Sequence, residues 1–359
     1  MIGPELYLKP TGLLVGAGAT NACAAGAAAR LAGGPIAVTA AELIRRDGTA
    51  RDVSVSSLAD LRACRRRGER DLSEAVERRL DAILAPRPPF AGVALDRPRL
   101  MGVINVTPDS FSDGGRYAAR EAAIAHGRAL RAAGADILDV GGESTRPGAA
   151  PVSIDEECGR IAPVVEALAG EGAPVSIDTR HAAVMRVALA AGARIVNDVT
   201  ALAGDPGSFE AVCESGASVV LMHMQGEPRT MQQEPAYRDA PLDIYDFFAE
   251  RLAACAAAGI PPARIALDPG IGFGKRDPHN LAILADLALY HGLGCALLLG
   301  VSRKSFIGRL SRGEDAAHRL AGSLAAALAG LDRGVQILRV HDVAETAQAV
   351  AVWRAIAGA

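Results

Sequence analysis

Ala132-Ala-Gly-Ala-Asp-Ile-Leu-Asp139 carries the reading of the fold. A stretch of helix-forming residues runs into Gly134, and an apolar run follows almost at once. The same join returns at Ala190-Ala-Gly-Ala-Arg-Ile-Val-Asn197, Glu214-Ser-Gly-Ala-Ser-Val-Val-Leu221 and Asp332-Arg-Gly-Val-Gln-Ile-Leu-Arg339. Glycine suits the end of a helix because it tolerates positive φ. The runs that follow are short and apolar, without strict alternation. That pattern predicts strands of a parallel sheet covered on both faces.

Outward from these joins, apolar runs near 100–104, 136–140, 174–177, 194–197, 218–222, 264–267, 296–301 and 336–340 read as eight strands. Helical patterns separate them, among them Ala118–Ala133, His181–Ala191, Asp243–Ala258 and Ala316–Leu331. Eight β/α units over 98–359 predict an α/β fold, a closed (β/α)8 TIM barrel. An open doubly wound sheet competes, but it needs a switch point in strand order, and none is found. Residues 1–97 break the rhythm. They carry a Gly/Ala-rich start, a helix expected around Ala19–Ala32, a charged helical stretch over Ser57–Ala85, and Pro86-Arg-Pro-Pro89 as punctuation. They are expected to form a small N-terminal α/β accessory module.

Hydrophobic residues make up 50% of the chain and aromatics only 4%, so the core must be aliphatic. The net charge of −3 is spread without a basic stripe or acidic tail, which argues against a nucleic-acid partner. Arg65-Arg-Arg67 reads as a solvated helix face. Leu13–Ala32 is apolar, but it lacks a basic start and carries Asn21 and Arg30, so neither a targeting signal nor a membrane segment is expected. The six cysteines include no CxxC pair and read as free thiols in a reducing cytoplasm. Lysine occurs only at Lys9, Lys275 and Lys304, among 38 basic residues. Such rarity raises the prospect that a compact ammonium is needed where lysine does stand.

In a barrel of this kind, reacting groups sit at the C-terminal ends of the strands. Here those ends are Asn105, Asp139, Asp178, Asn197, His223, Asp268, Ser302–Lys304, Arg339 and His341. A single Asp or Asn in such a place caps the next helix. A full ring of them marks one hydrogen-bonding cavity. Gly270-Ile-Gly-Phe-Gly-Lys275 has a superficial likeness to a phosphate loop, but it lacks the four-residue gap and the Ser/Thr after Lys.

Longer motifs are more specific. Met101-Gly-Val-Ile-Asn-Val-Thr-Pro-Asp-Ser-Phe-Ser-Asp-Gly-Gly115 and Asp139-Val-Gly-Gly-Glu-Ser-Thr-Arg-Pro-Gly148 resemble the two signatures of dihydropteroate synthases, the pterin-binding TIM-barrel family. Ser176–Thr179, Val196–Val199, Leu221–Gly226, Leu267–Lys275, Gly300–Gly308 and Arg339–His341 match the remaining motifs in order and spacing. The resemblance covers roughly 98–359. It implies a transferase of folate biosynthesis, which condenses 7,8-dihydropterin-6-ylmethyl diphosphate with 4-aminobenzoate to give 7,8-dihydropteroate and diphosphate.

The resemblance places Asp178, Asn197, Asp268 and Lys304 on the pterin, with Met222 and Phe273 lining its pocket and Asp139 facing it. A pterin edge presents adjacent N–H donors and ring acceptors, which suits carboxylates, an amide and an ammonium. Asn105, Arg339 and His341 correspond to the diphosphate groups. Asn105 is also the Mg2+ ligand, the one cofactor implied; its amide oxygen suits that hard ion. Phe111, Thr145, Arg146, Pro147 and Ser305 are placed around 4-aminobenzoate, whose carboxylate fits a helix N-terminus at Ser305. Asp113, Arg146 and Lys304 are expected to serve the reaction directly. A homodimer is implied as well. Two other functions share part of this pattern: a non-catalytic pterin-binding homologue, and a methyltetrahydrofolate-dependent methyltransferase-type barrel. Intact loop and cation residues argue against the first. The two long loop motifs and Ser302-Arg-Lys-Ser305 argue against the second.

Overall fold

A computed structural model of the chain describes residues 5–48, 50–64, 70–106, 113–143, 152–227 and 230–358, the side chains of 5, 64, 70–73 and 113–118 excepted. The N-terminal part holds β1 (Glu5–Leu14), α1 (Gly16–Ala24), β2 (Ala29–Arg30), β3 (Ala37–Asp47), β4 (Ala50–Ser57), α2 (Leu58–Cys64) and α3 (Arg70–Leu84). β3 is the spine of an antiparallel sheet, with β1 on one side and β2 and β4 on the other. The helix expected over Ala19–Ala32 is shorter. It ends at Ala24, Gly26 takes φ +72, and Ala29–Arg30 pairs with Val38 and Ala37. Alanine propensity extends a helix only until a sheet edge competes for the backbone. The long β3–β4 hairpin was not legible, because its strands are rich in Ala, Ser and charged residues.

The rest alternates strand and helix. The strands are β5 (Arg99–Asn105), β6 (Ile137–Gly141), β7 (Val175–Asp178), β8 (Ile195–Asp198), β9 (Ser218–Met222), β10 (Ile265–Asp268), β11 (Ala296–Leu299) and β12 (Ile337–Val340). The helices are α4 (Asp113–Ala132), α5 (Ile154–Gly170), α6 (Ala182–Ala190), α7 (Ser208–Ser215), α8 (Ala240–Ala257), α9 (Asp277–Ala285), α10 (Ser305–Leu310), α11 (Leu320–Leu331) and α12 (Val343–Gly358). Every neighbouring strand pair is parallel, and β12 pairs with β5 to close the barrel. The expected (β/α)8 architecture is thus observed.

The barrel interior explains where the chemistry lies. Met101, Ile137, Ile195, Val220, Ala266, Leu298 and Ile337 form one buried apolar layer, with Phe90 packed on it from the linker. Side chains alternate across a strand, so the residue two positions on points to the same interior. From Ile137, Ile195, Val220, Ala266, Leu298 and Ile337 that residue is Asp139, Asn197, Met222, Asp268, Gly300 and Arg339. The floor is apolar, and four of these six residues in the next layer, Asp139, Asn197, Asp268 and Arg339, are polar. A second, larger apolar shell fills the space between strands and helices. No described helix is long and apolar enough to cross a membrane.

Candidate active site

Arg339 is the hub of the strand-end layer. Its Nε donates to Asp139 Oδ2 at 2.6 Å and its Nη2 to Asp178 Oδ2 at 2.7 Å. Asn197 Nδ2 donates to the same Asp139 oxygen at 3.1 Å. Asp139 is fully buried, and its Oδ1 has no hydrogen-bond partner among the described residues, nor does Asp178 Oδ1. These two unpartnered oxygens are sites that a ligand's donors can satisfy. A Cβ at Gly300 would stand 3.8 Å from Asp268 Oδ2 and 3.9 Å from Arg339 Cβ, so the missing side chain keeps the space between those two groups clear.

Burial governs the protonation of this layer. It pushes the Asp178 carboxyl up to about 7, with Arg339 pulling down and Asp139 adding to the rise. It raises Asp268 too, against the Gly270 N–H at 2.8 Å and the cations Lys304 and Arg339. Burial opposes the charge of Arg339, but Asp139 and Asp178 outweigh it and hold the guanidinium protonated.

Lys304 lies 4.1 Å from the centroid of the Phe273 ring, a cation–π contact that joins two of the predicted pterin residues. Met222 is buried on β9, directly opposite Asp268 in the β9–β10 register. Ser305 begins α10 and is exposed there. Asn105 ends β5, exposed, beside Gly141, which pairs in turn with Asp178. His341 follows β12, with Nδ1 3.0 Å from Ser302 Oγ. That oxygen also accepts from the His341 N–H at 3.2 Å, so Ser302 fixes the ring through both its backbone and its Nδ1 and leaves Nε2 outside these bonds. Burial and Arg339 lower the imidazole to about 4, so it is neutral near pH 7.

Asp178, Asn197, Asp268, Met222 and Arg339 therefore share one interior layer, and Lys304 with Phe273 stands on the adjoining loops. Phe111, Thr145, Arg146 and Pro147 lie outside the described residues; of Asp113 only its place at the start of α4 is described. His223 does not join the ring. It is buried against Phe247 and accepts Lys275 Nζ contact at 2.9 Å through Nδ1. Lys275 is buried as well, its Nζ donating to the carbonyls of His223, Gly270 and Phe273. It fastens the Gly270–Lys275 loop and offers nothing to a phosphate, in keeping with the rejection of a phosphate loop. Lysine rarity flagged Lys275 and Lys304 equally; packing shows that Lys275 fastens its own loop.

This geometry has known counterparts. A family model described as pterin binding enzyme matches residues 101–341. The dihydropteroate synthase of Neisseria meningitidis serogroup B is 50% identical over 270 residues, spanning 74% of this chain and 94% of that protein. That of Escherichia coli is 48% identical over 267 residues, with the same coverage. The chain belongs to the dihydropteroate synthase family. Among solved dihydropteroate synthases, that of Yersinia pestis in a sulfonamide drug complex superposes with a TM-score of 0.70 at 46% identity, covering 74% of this chain and 97% of that one. That of Xanthomonas albilineans in complex with 7,8-dihydropteroate gives 0.67 at 46% identity, covering 74% and 96%.

One group of possible metal ligands occurs among the described residues of this dihydropteroate synthase family member. Glu143, Glu157 and His181 offer ligand atoms within 4.8 Å of one another, on the segments that follow β6 and β7 and on α5. Sequence reading missed it, since the three are far apart in the chain. Burial raises the Glu157 carboxyl, and Arg180 approaches Glu143 at 3.4 Å. For Mg2+, the exposed Asn105 amide at the mouth fits an ion that keeps waters and takes its other oxygens from a diphosphate.

Proposed function

We infer that this chain condenses 7,8-dihydropterin-6-ylmethyl diphosphate with 4-aminobenzoate, releasing diphosphate and 7,8-dihydropteroate. The observation that carries the reading is the interior layer in which Asp139, Asp178, Asn197, Asp268 and Arg339 meet at the C-terminal mouth of a family barrel. Asp178, Asn197 and Asp268 take the donor-rich pterin edge, and Lys304 takes the ring acceptors. Met222 and Phe273 cover the ring faces. Arg339 keeps unused N–H donors, and together with the His341 ring and Asn105 they receive the diphosphate. Mg2+ supplies charge neutralisation to the departing diphosphate when bound. The methylene–oxygen bond breaks, the arylamine nitrogen forms the new bond, and it loses its proton to solvent or to a base at the mouth. No protein nucleophile is needed. The 4-aminobenzoate carboxylate docks at Ser305, with Phe111, Thr145, Arg146 and Pro147 around its ring and Asp113 and Arg146 assisting the reaction.

Three further readings belong to the same proposal. Residues 1–97 act as an accessory module and 98–359 as the catalytic barrel, a division supported by the separate N-terminal sheet and by a family match that begins at 101. The chain forms a homodimer, supported by Val352 and Ile356 standing exposed on α12. It works in the cytoplasm, supported by free thiols at Cys23, Cys158, Cys213, Cys255 and Cys295.

The test is incubation with the pterin diphosphate, 4-aminobenzoate and Mg2+, following both dihydropteroate and diphosphate. Stoichiometric appearance of the two supports the reading. Pterin binding without diphosphate release would point to the non-catalytic homologue, and methyl transfer from methyltetrahydrofolate to the methyltransferase-type barrel.

A further inference from the structure

The N-terminal part docks on the barrel through a set of cations that meets acids at the start of α8 and at Asp286, which follows α9. Arg46, on β3 and almost fully buried, donates to Asp243 Oδ1 at 2.8 Å and pairs with Asp246. Arg51, on β4, pairs with Asp239 and reaches Asp286 at 3.0 Å. Lys9 on β1 reaches Asp286 at 2.9 Å, and Tyr7 Oη donates to Asp246 at 3.0 Å. Ion pairs this buried hold only with close geometry, and losing one partner strands the other.

Two of these acids also hold backbone. Asp239 is the N-cap of α8, accepting the Leu242 N–H. Asp243 Oδ2 accepts the N–H groups of Arg238 and Asp239 at 2.9 and 3.1 Å, while its other oxygen faces Arg46. The segment fixed in this way, 230–239, grips the Gly270–Lys275 loop. Tyr237 Oη donates to Gly274 O at 2.7 Å, and Gln232 Nε2 to Gly272 O at 2.6 Å. Gln225 is bonded both ways to Ala236. Phe273, between those two glycines, carries the contact with Lys304.

We propose that the N-terminal module is a clamp on the pterin side of the active site: Arg46 and Arg51 are positioning residues that set the Phe273 loop through the start of α8. The inference rests on the pterin role given to Phe273 and Lys304 above. It gives residues 1–97, which precede the family match at 101, a defined part in substrate binding.

The test uses the full-length chain with R46M/R51M, beside R46K/R51K and K9M. Amide hydrogen exchange in 230–239 and 270–275 should speed up roughly tenfold in R46M/R51M and revert in R46K/R51K. The KM for the pterin diphosphate should rise roughly tenfold, with kcat and the KM for 4-aminobenzoate within about twofold. K9M, whose partners are Glu42 and Asp286, should lower thermal stability without moving either KM. Unchanged exchange in both segments overturns the clamp. So does a rise in both KM values together, or a fall in melting temperature with neither KM moved. If R46M/R51M does not fold, R51M alone, at a partly exposed arginine, gives the same readouts. Absence of turnover in the wild type would refute the proposed function, and the exchange measurement would still decide the clamp.

Discussion

Replacing Arg339 by Met keeps length and removes charge at the centre of the strand-end layer. The wild-type guanidinium bonds Asp139 at 2.6 Å and Asp178 at 2.7 Å, and those side chains are 0% and 15% exposed. Removing one partner of a buried pair costs about 3–5 kcal/mol, because the remaining charge has no compensation. Protonation limits the loss, since one carboxyl taking up a proton changes it by about 1.4 kcal/mol per pH unit. In the wild type, burial already lifts Asp178 to about 7, above its unfolded value, so folding takes up a proton there and stability falls as pH rises from about 4 towards 7. Without Arg339 the folded Asp178 carboxyl rises further, so the decline should extend to higher pH. Urea unfolding followed by the single tryptophan, Trp353, should show a loss of about 3–5 kcal/mol at pH 8 and about 1.4 kcal/mol less at pH 6, because Asp178 already costs the wild type about one pH unit's worth of stability over that range. A loss under about 1 kcal/mol, or one equal at both pH values, would refute the argument that Arg339 neutralises the layer.

Other outcomes follow from single groups. Lys304→Ala should weaken pterin binding by about 10–100-fold in calorimetry, the range for a lost charged hydrogen bond; unchanged affinity would remove Lys304 from the pterin site. Gly274 has φ +59, and a Cβ there would fall 2.5 Å from Gln225 O, so Gly274→Ala should cost about 1–3 kcal/mol; a change within about 0.5 kcal/mol would mean the loop yields freely. His341, lowered to about 4 by burial and Arg339, should remain neutral by NMR through pH 5. Its folded value lies below the unfolded one, so it contributes stability above pH 6.5 that is lost as pH falls towards 4, and His341→Phe should flatten that slope; titration near 6.5 would contradict the packing described.

Much of the barrel was legible because its strands obey a local rule. Glycine ends a helix, and the next apolar run is short enough to be only a strand. The polar residue closing each run marked Asp178, Asn197, Asp268 and Arg339 before any fold was known. The N-terminal sheet was less legible, since β3 buries Val38, Ala41 and Ile44 without strict alternation and β4 is mostly exposed. Residue type also failed to separate His223 from His341, or Lys275 from Lys304.

The sequence by itself determined that eight β/α units would close and that polar residues would crown them, because periodicity and glycine placement are local properties of the chain. Only the tertiary structure decided which of those residues face one another. Arg339 stands 200 positions from Asp139, and Arg46 stands 197 from Asp243. Barrel closure and sheet docking bring such pairs within 3 Å, and burial then fixes their charge states. Neither distance nor dielectric surroundings is written in local sequence.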